Sequence, residues 1–249
     1  MKIPAAFLTI TVFAARIGAN PVPRASSSPP YFITIGDSTV AEDGGWGNGF
    51  LSFVKSHAKG SNRGKPGSTT ASWPADGRWD DLVENINQTV SKYDIVVTMQ
   101  FGHNDQKAIS LEEYRDNLES FCSNITALGA TPIIITPLTR RNFDGDTVQD
   151  DFVEWRKNAI AAAKSSRVKY LDLNSASKKY INSIGANDAA TYDRTTGDNT
   201  HLNSAGEKVF GRMVADLLLQ ARSDLEDYIA PDEELSNKIS SGEYASGDE

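Results

Sequence analysis

Three short polar clusters carry the residues whose types and spacing could perform acyl transfer. The first is Gly36-Asp37-Ser38-Thr39, where glycine permits a sharp turn and the serine after it would project with its backbone N–H free. The second, Gly102-His103-Asn104-Asp105, offers an asparagine amide that could face a shared crevice. The third, Asp198-Asn199-Thr200-His201, sets a carboxylate three residues before a histidine. From there it can reach the imidazole Nδ1–H, fix the tautomer and leave Nε2 free to meet a hydroxyl. Alone, each cluster also reads as an ordinary turn or a capped loop. Together they fill complementary roles, because a nucleophile needs a base, the base an orienting partner, and the tetrahedral oxyanion preorganised donors. Ser38, His201 and Asp198 are the candidates for the first three roles. The Ser38 N–H and the Asn104 side chain supply two oxyanion donors. A third comes from the loop Asn62 to Gly67, where Gly67 would let backbone approach the reacting centre.

The chain holds three histidines, which makes the choice of base specific. His57 falls on an apolar stripe with Phe50, Phe53 and Val54 and is expected to be packed there. His103 adjoins Asn104 and is a candidate to line the site, with Asp105 holding its turn. Cys122 shares a stripe with Leu118, Phe121 and Ile125, so it reads as a core residue rather than a thiol catalyst.

What must position these clusters is a set of short apolar runs alternating with helical periodicity. Tyr31–Ile35, Asp94–Phe101 and Pro132–Thr136 read as buried strands, and Val168–Leu171 as a weaker fourth. Helical stripes follow through Phe50 to His57, Leu111 to Ile125, and Val209 to Leu218. Alternation of this kind builds βαβ units and a parallel sheet covered on both faces. Sites in such sheets lie beyond the carboxyl ends of the strands, which is where the polar clusters fall.

Of the 249 residues, 39% are hydrophobic and 9% aromatic, enough for one real core. A net charge of −8 argues against nucleic-acid partners and against anionic membrane surfaces. The single cysteine excludes an intrachain disulfide framework. Residues 1–19, with Lys2 followed by a mostly apolar run, read as a signal peptide, so the protein is expected to be secreted, extracellular and free of a membrane span. Residues 20–30 read as a linker or pro-segment, and 31–224 as the folded domain. The stretch 225–249 is acidic and lacks a sustained period, so it is expected to be a solvated, dispensable tail. Sequons at Asn87 and Asn124 fit a secretory route.

The four blocks Gly36-Asp37-Ser38, Asn62…Gly67, Gly102-His103-Asn104-Asp105 and Asp198-x-x-His201 resemble, in order, those of the SGNH (GDSL-type) hydrolase superfamily. The resemblance implies a three-layer α/β/α sandwich around a central parallel, flavodoxin-like sheet of about five strands. It also implies Ser38 as nucleophile, Asp198 and His201 completing a triad, and Gly67 and Asn104 completing the oxyanion hole, with no cofactor and no metal. Phe101-Gly-His-Asn-Asp105, Gly67 to Trp79 and Thr136 to Phe143 are similar to segments of rhamnogalacturonan acetylesterases. Where many of those enzymes carry arginine after the oxyanion glycine, this chain has Ser68. The implied partner is an acetylated polysaccharide or oligosaccharide, acted on by a monomer. Trp46, Trp73 and Trp79 are candidates to stack on sugar rings, and Arg78, Arg140 and Arg141 to pair with uronate carboxylates. Competing readings are a lipase or thioesterase on the same scaffold and a carbohydrate-binding protein without activity. A third is a phosphoesterase with a metal held by Asp37, His103, Asp105, Asp198 and His201.

Overall fold

The computed structural model describes residues 28–75 and 77–249; the expected signal segment, most of the linker and Asp76 lie outside the described residues. Five parallel strands form the sheet: β1 (Pro30–Gly36), β2 (Lys59–Asn62), β3 (Asp94–Gln100), β4 (Thr131–Ile135) and β5 (Lys169–Leu171), in the order β2-β1-β3-β4-β5. Because every pairing is parallel, all five carboxyl ends share one edge, and Gly36 sits directly opposite Gln100 at the ends of β1 and β3. Side chains along the strands alternate between two cores. Phe32, Val96, Ile133, Ile135 and Leu171 meet one layer of helices, and Ile33, Ile35, Val97, Met99 and Ile134 meet the other.

Helices α1 (Gly47–Ser52), α6 (Leu173–Ala190) and α7 (Ser204–Ala221) cover the first face. On the second lie α2 (Arg78–Thr89), α4 (Leu111–Ala127) and α5 (Val153–Ser165). The short α3 (Asp105–Ala108) follows β3, and a two-stranded hairpin pairs Phe143–Asp144 with Thr147–Val148. The architecture is thus the expected α/β/α sandwich. Capping explains two of the helix starts: the Ser110 hydroxyl accepts from the Glu113 N–H, and the Asn203 side chain from the Gly206 N–H, fixing where α4 and α7 begin. Among the described residues, no helix is long and apolar enough to cross a membrane.

Three expectations need correction. The helix read through His57 ends at Ser52, where the Phe53 and Val54 N–H groups bond back three residues to Phe50 and Leu51 and tighten the turn. His57 is therefore exposed, its Nε2 3.1 Å from the Asp227 carbonyl and its ring against Tyr228, not part of an apolar stripe. The edge strand β2, Lys-Gly-Ser-Asn, carries no apolar signal because it is half-exposed and pairs only with β1.

The third correction concerns the carboxyl terminus, which is folded onto the domain rather than solvated. A 3₁₀ turn (Ser223–Tyr228) and α8 (Glu233–Ser241) lay Leu225, Ile229, Leu235 and Ala245 into the first core. Val54 and Ile229 form a β-bridge, and the buried Arg212 guanidinium donates to the Ala230 carbonyl at 2.7 Å. Tyr192 donates its hydroxyl to the Ala245 carbonyl (2.7 Å), and the Ala245 N–H donates to Tyr180 (3.1 Å). The segment changes from 3₁₀ turn through a bridged, irregular stretch to helix, so its four buried hydrophobes follow no single period, and most of its nine acidic residues face outward around them, Glu249 being the buried exception.

Candidate active site

At the end of β1 the chain doubles back. The Asp37 carboxylate accepts from the Thr39 N–H (2.9 Å) and hydroxyl (2.7 Å), and the Val40 and Ala41 amides bond to the Asp37 carbonyl. Ser38 therefore stands at the carboxyl edge of the sheet. Its Oγ lies 2.9 Å from His201 Nε2, although 163 residues separate the two. His201 Nδ1 in turn lies 2.9 Å from Asp198 Oδ2 and 3.2 Å from Oδ1. The same carboxylate accepts the His201 and Thr200 amides at 3.0 and 3.2 Å. Burial alone would raise the Asp198 carboxyl, but these amides and the imidazole outweigh it and hold the group below the usual carboxylate range. An ionised Asp198 beside Nδ1 keeps the proton on that nitrogen and leaves the Nε2 lone pair toward Ser38.

The loop bearing Asp198 and His201 is fastened from beneath by Arg141. This buried guanidinium pairs with Asp193 (2.9 Å) and donates to the Asp198 and His201 carbonyls at 2.9 and 2.6 Å. The Ser38 side is tied to the same loop through Gly44, whose carbonyl accepts the Leu202 N–H (3.0 Å) and whose N–H donates to Glu207 (2.8 Å).

On the other flank, backbone bonds from Arg63 to Thr34 and from Lys65 to Gly36 run the 63–67 loop alongside the end of β1. Asn104, beyond β3, donates its amide to the Ser68 carbonyl at 3.0 Å, which ties the Gly102–Asp105 cluster to the 63–67 loop. Only one of its two amide hydrogens is used in that bond. Gly67 is exposed with φ +77 and open space around its Cα, so the turn itself, rather than crowding, asks for glycine. Asp105 holds the turn as expected, accepting the Thr70 N–H and hydroxyl (both 2.7 Å) and the Gly102 N–H (3.0 Å).

Several candidate contact residues are committed elsewhere. Trp46 is fully buried and donates its indole N–H to Gln100 at 2.8 Å; Trp73 is buried and donates to the Arg63 carbonyl at 3.1 Å. Trp79 stacks on Phe121 with ring centroids 5.5 Å apart. Trp46 and Trp73 therefore offer no free face, whereas Trp79 is half-buried with one face covered by Phe121. His103 is buried against Phe152, where desolvation together with the Arg140 and His201 charges holds its imidazole well below the usual range and so neutral. Arg140 pairs with Asp151 (3.2 Å) over the Phe152 ring, and Arg141 serves the acid–base loop instead of facing solvent. Arg78 remains, on the wall of a cavity beside the Ser38 turn. The carboxylates weighed as metal ligands are likewise engaged, Asp37 by Thr39, Asp105 by Thr70 and Gly102, and Asp198 by His201. Cys122 is buried as expected, its thiol pushed up to about 11 by desolvation. Gln100 and Arg63 escaped sequence reasoning; the one available signal was a polar glutamine closing the apolar run of β3.

A hydroxyl, an imidazole and a carboxylate stand in series at the carboxyl edge of an open parallel sheet, an arrangement that can activate a serine for acyl transfer. Residues 34–209 match the GDSL-like lipase/acylhydrolase family, a family of serine ester hydrolases, and the chain belongs to it. It is an SGNH acylhydrolase. Its sequence is 27% identical over 224 residues to the rhamnogalacturonan acetylesterase RhgT of Bacillus subtilis (strain 168), covering 81% of this chain and 94% of that protein. The probable rhamnogalacturonan acetylesterase YesY of the same organism is 26% identical over 192 residues, 73% of this chain and 85% of that one. Among solved structures, YxiM of Bacillus subtilis superposes with a TM-score of 0.67 at 23% identity, over 78% of this chain and 57% of that one. Axe2, an acetylxylan esterase from Geobacillus stearothermophilus, gives 0.54 at 18% identity, over 78% and 94% of the two chains. At these identities the structural likenesses establish the fold.

Proposed function

We propose that this chain is a carbohydrate esterase that removes acetyl groups from plant cell-wall polysaccharide of the rhamnogalacturonan type. The observation that carries the reading is the continuous relay Ser38–His201–Asp198, with 2.9 Å at each of its two links. The acetylesterase names of the two curated relatives support the acyl group and the carbohydrate. Among the described residues the site loops also carry no apolar lid of the kind a lipase needs. The large hydrophobic side chains exposed among the described residues are Val153 and Tyr244, neither in those loops.

In this mechanism Ser38 Oγ attacks the acetyl carbonyl carbon while His201 Nε2 takes its proton. Negative charge gathers on the carbonyl oxygen, where the Ser38 N–H, the Gly67 N–H and the second Asn104 amide hydrogen receive it. Asp198 steadies the imidazolium. The tetrahedral adduct collapses by breaking the bond to the sugar oxygen, which leaves with the proton from His201. Water, deprotonated by His201, then attacks acetyl-Ser38 and frees acetate. Export through residues 1–19 and action as an extracellular monomer complete the proposal. The exposure of both sequon asparagines, Asn87 on α2 and Asn124 on α4, is compatible with that route.

The test is acetate release from acetylated rhamnogalacturonan, acetyl xylan and an aryl acetate by the native chain and Ser38→Ala. The alanine variant should lose roughly 10⁴-fold or more in turnover on every substrate. Native turnover in that variant, or no acetate release by the native chain, would refute the reading.

A further inference from the structure

A cavity of about 380 Å³ opens beside the reacting centre, its wall formed by Ala41 just after Ser38, by Gly64 and Pro66 just before Gly67, and by Arg63, Arg78 and Arg194. The Arg194 N–H is bonded to the His201 carbonyl, so the wall is tied to the acid–base loop as well as to the chain following Ser38 and that preceding Gly67. Two of its three guanidinium groups are unusual. Arg63 and Arg78 form no ion pair or side-chain hydrogen bond among the described residues, and the Nε of each is shut away from solvent without an acceptor. A buried N–H left unmet is costly, and the planar fork that carries it matches the two oxygens of a carboxylate. The backbone under Arg63 is also held firmly, its carbonyl by the Trp73 indole and its N–H by Thr34.

Acidic side chains share the cavity and must be weighed. Asp43 is neutralised by its ion pair with Arg194, while Glu42 and Asp81 are exposed at the rim. Neither comes within ion-pairing distance of Arg63 or Arg78, although Asp81 stands only one helical turn beyond Arg78 on α2. The rim acids are in water, where their repulsion is screened, whereas the Arg63 and Arg78 guanidinium groups line the cavity with no acceptor at Nε.

We infer that Arg63 and Arg78 form a carboxylate-binding subsite that seats an acidic sugar of the chain whose acetyl group lies at Ser38. This rests on the esterase reading above and adds to it: the acyl site selects the ester, and this cavity selects a uronate neighbour over a neutral one. Two charge-assisted bonds of this kind distinguish an acid from its methyl ester by roughly ten- to hundred-fold.

The experiment compares kcat/KM for acetylated oligosaccharides bearing free uronate carboxyls with the same oligosaccharides after carboxyl methyl-esterification. Native protein should prefer the free acid by at least ten-fold, mainly through KM. In Arg63→Gln and Arg78→Gln the ratio should fall toward one, and Arg63→Lys should restore part of it. Calorimetric titration of the Ser38→Ala protein with the two unreacted substrates gives the same comparison without turnover, and its preference should weaken with added salt. Equal kcat/KM and equal affinity for acid and methyl ester in the native protein would overturn the subsite while leaving the esterase intact. Failure to release acetate from either substrate would instead count against the esterase reading.

Discussion

Removing the Arg141 guanidinium should both destabilise the fold and loosen the acid–base loop. The side chain is about 1% exposed and its partner Asp193 about 9%, so this is a buried pair. Besides that pair, Arg141 gives two charge-assisted bonds to the carbonyls of Asp198 and His201, the residues that must stay in register with Ser38. Replacing it by methionine keeps most of the apolar stem but strands a buried carboxylate and two carbonyls. Breaking one member of such a pair costs about 3–5 kcal/mol. The two lost carbonyl bonds would add to this, but the desolvation burden of the guanidinium is relieved at the same time, so the same range holds for the whole change. In a domain of this size that corresponds to a Tm lower by roughly 6–20 °C. Activity should fall separately, because a shift of about 1 Å in a catalytic group can cost around 10²-fold. Urea unfolding and turnover of an aryl acetate well below the transition would be measured for Arg141→Met, Asp193→Asn and the double variant. The single changes should be strongly non-additive in stability, and Arg141→Met should show the larger loss of kcat, since Asp193→Asn leaves both carbonyl bonds in place. If Arg141→Met unfolds at the native urea midpoint with native kcat, the guanidinium does not hold the loop and the reasoning fails.

Other outcomes follow from the same contacts. Asp37 is fully buried with one oxygen unpartnered, and desolvation pushes its carboxyl up to about 6. Between roughly pH 4 and 6 the unfolded chain releases that proton while the folded chain keeps it, so the contribution of Asp37 to native stability should decline as pH rises through this window, against the opposite trend from the neutral, buried His103. Asp37→Asn should remove that declining component, so its urea midpoint should rise more, or fall less, across the window than the native one; an identical pH dependence of the urea midpoint in variant and native protein would contradict this. Deleting 233–249 uncovers the first core beneath Leu235 and Ala245 and should cost several kcal/mol, at least the ~2–5 kcal/mol of a buried Leu→Ala change, visible in thermal unfolding; an unchanged Tm would restore the view of a dispensable tail. Gly49→Ala drives a methyl group into the Glu207 carbonyl of α7, and overpacking of this kind costs about 1–3 kcal/mol. Its kcat should fall with its stability, and full activity in the variant would show that the relay does not depend on the α1–α7 contact.

What the sequence disclosed follows from how each element is buried. β1, β3 and β4 are covered on both faces, so they appear as continuous apolar runs, and their polar terminations marked Ser38 and Asn104. The edge strand β2 draws its register from hydrogen bonds to β1 and little from its own side chains, so nothing in Lys-Gly-Ser-Asn announces it. Loop tryptophans look alike whether they face a ligand or the core. Only the direction of the Trp46 N–H, toward Gln100, separates the two, and direction is a tertiary property. Arg140 and Arg141 are neighbours of one type, yet one lies over Phe152 and the other beneath the acid–base loop. Composition concealed the carboxyl-terminal segment for a different reason: nine acids dominate an average, although four buried hydrophobes decide where the chain lies.

The separation between Ser38 and His201 is set less by the sheet than by a helix contact. The turn after Ser38 runs into α1, and the loop bearing His201 runs into α7. These two helices approach so closely that a β-carbon at Gly49 would strike the Glu207 carbonyl and one at Gly211 the Gly49–Phe50 backbone. Glu207, from the first turn of α7, holds the Gly44 N–H, and the Gly44 carbonyl holds Leu202, next to His201. The sheet thus delivers Ser38 to the carboxyl edge, and the glycine-lined α1–α7 contact brings the imidazole within a hydrogen bond of it. Parallel topology explains why the clusters at the ends of β1 and β3 meet, but it says nothing about a residue that follows the last strand by thirty positions. For His201 the informative sequence feature is the pair of glycines, one on each helix, that allows the backbones to touch.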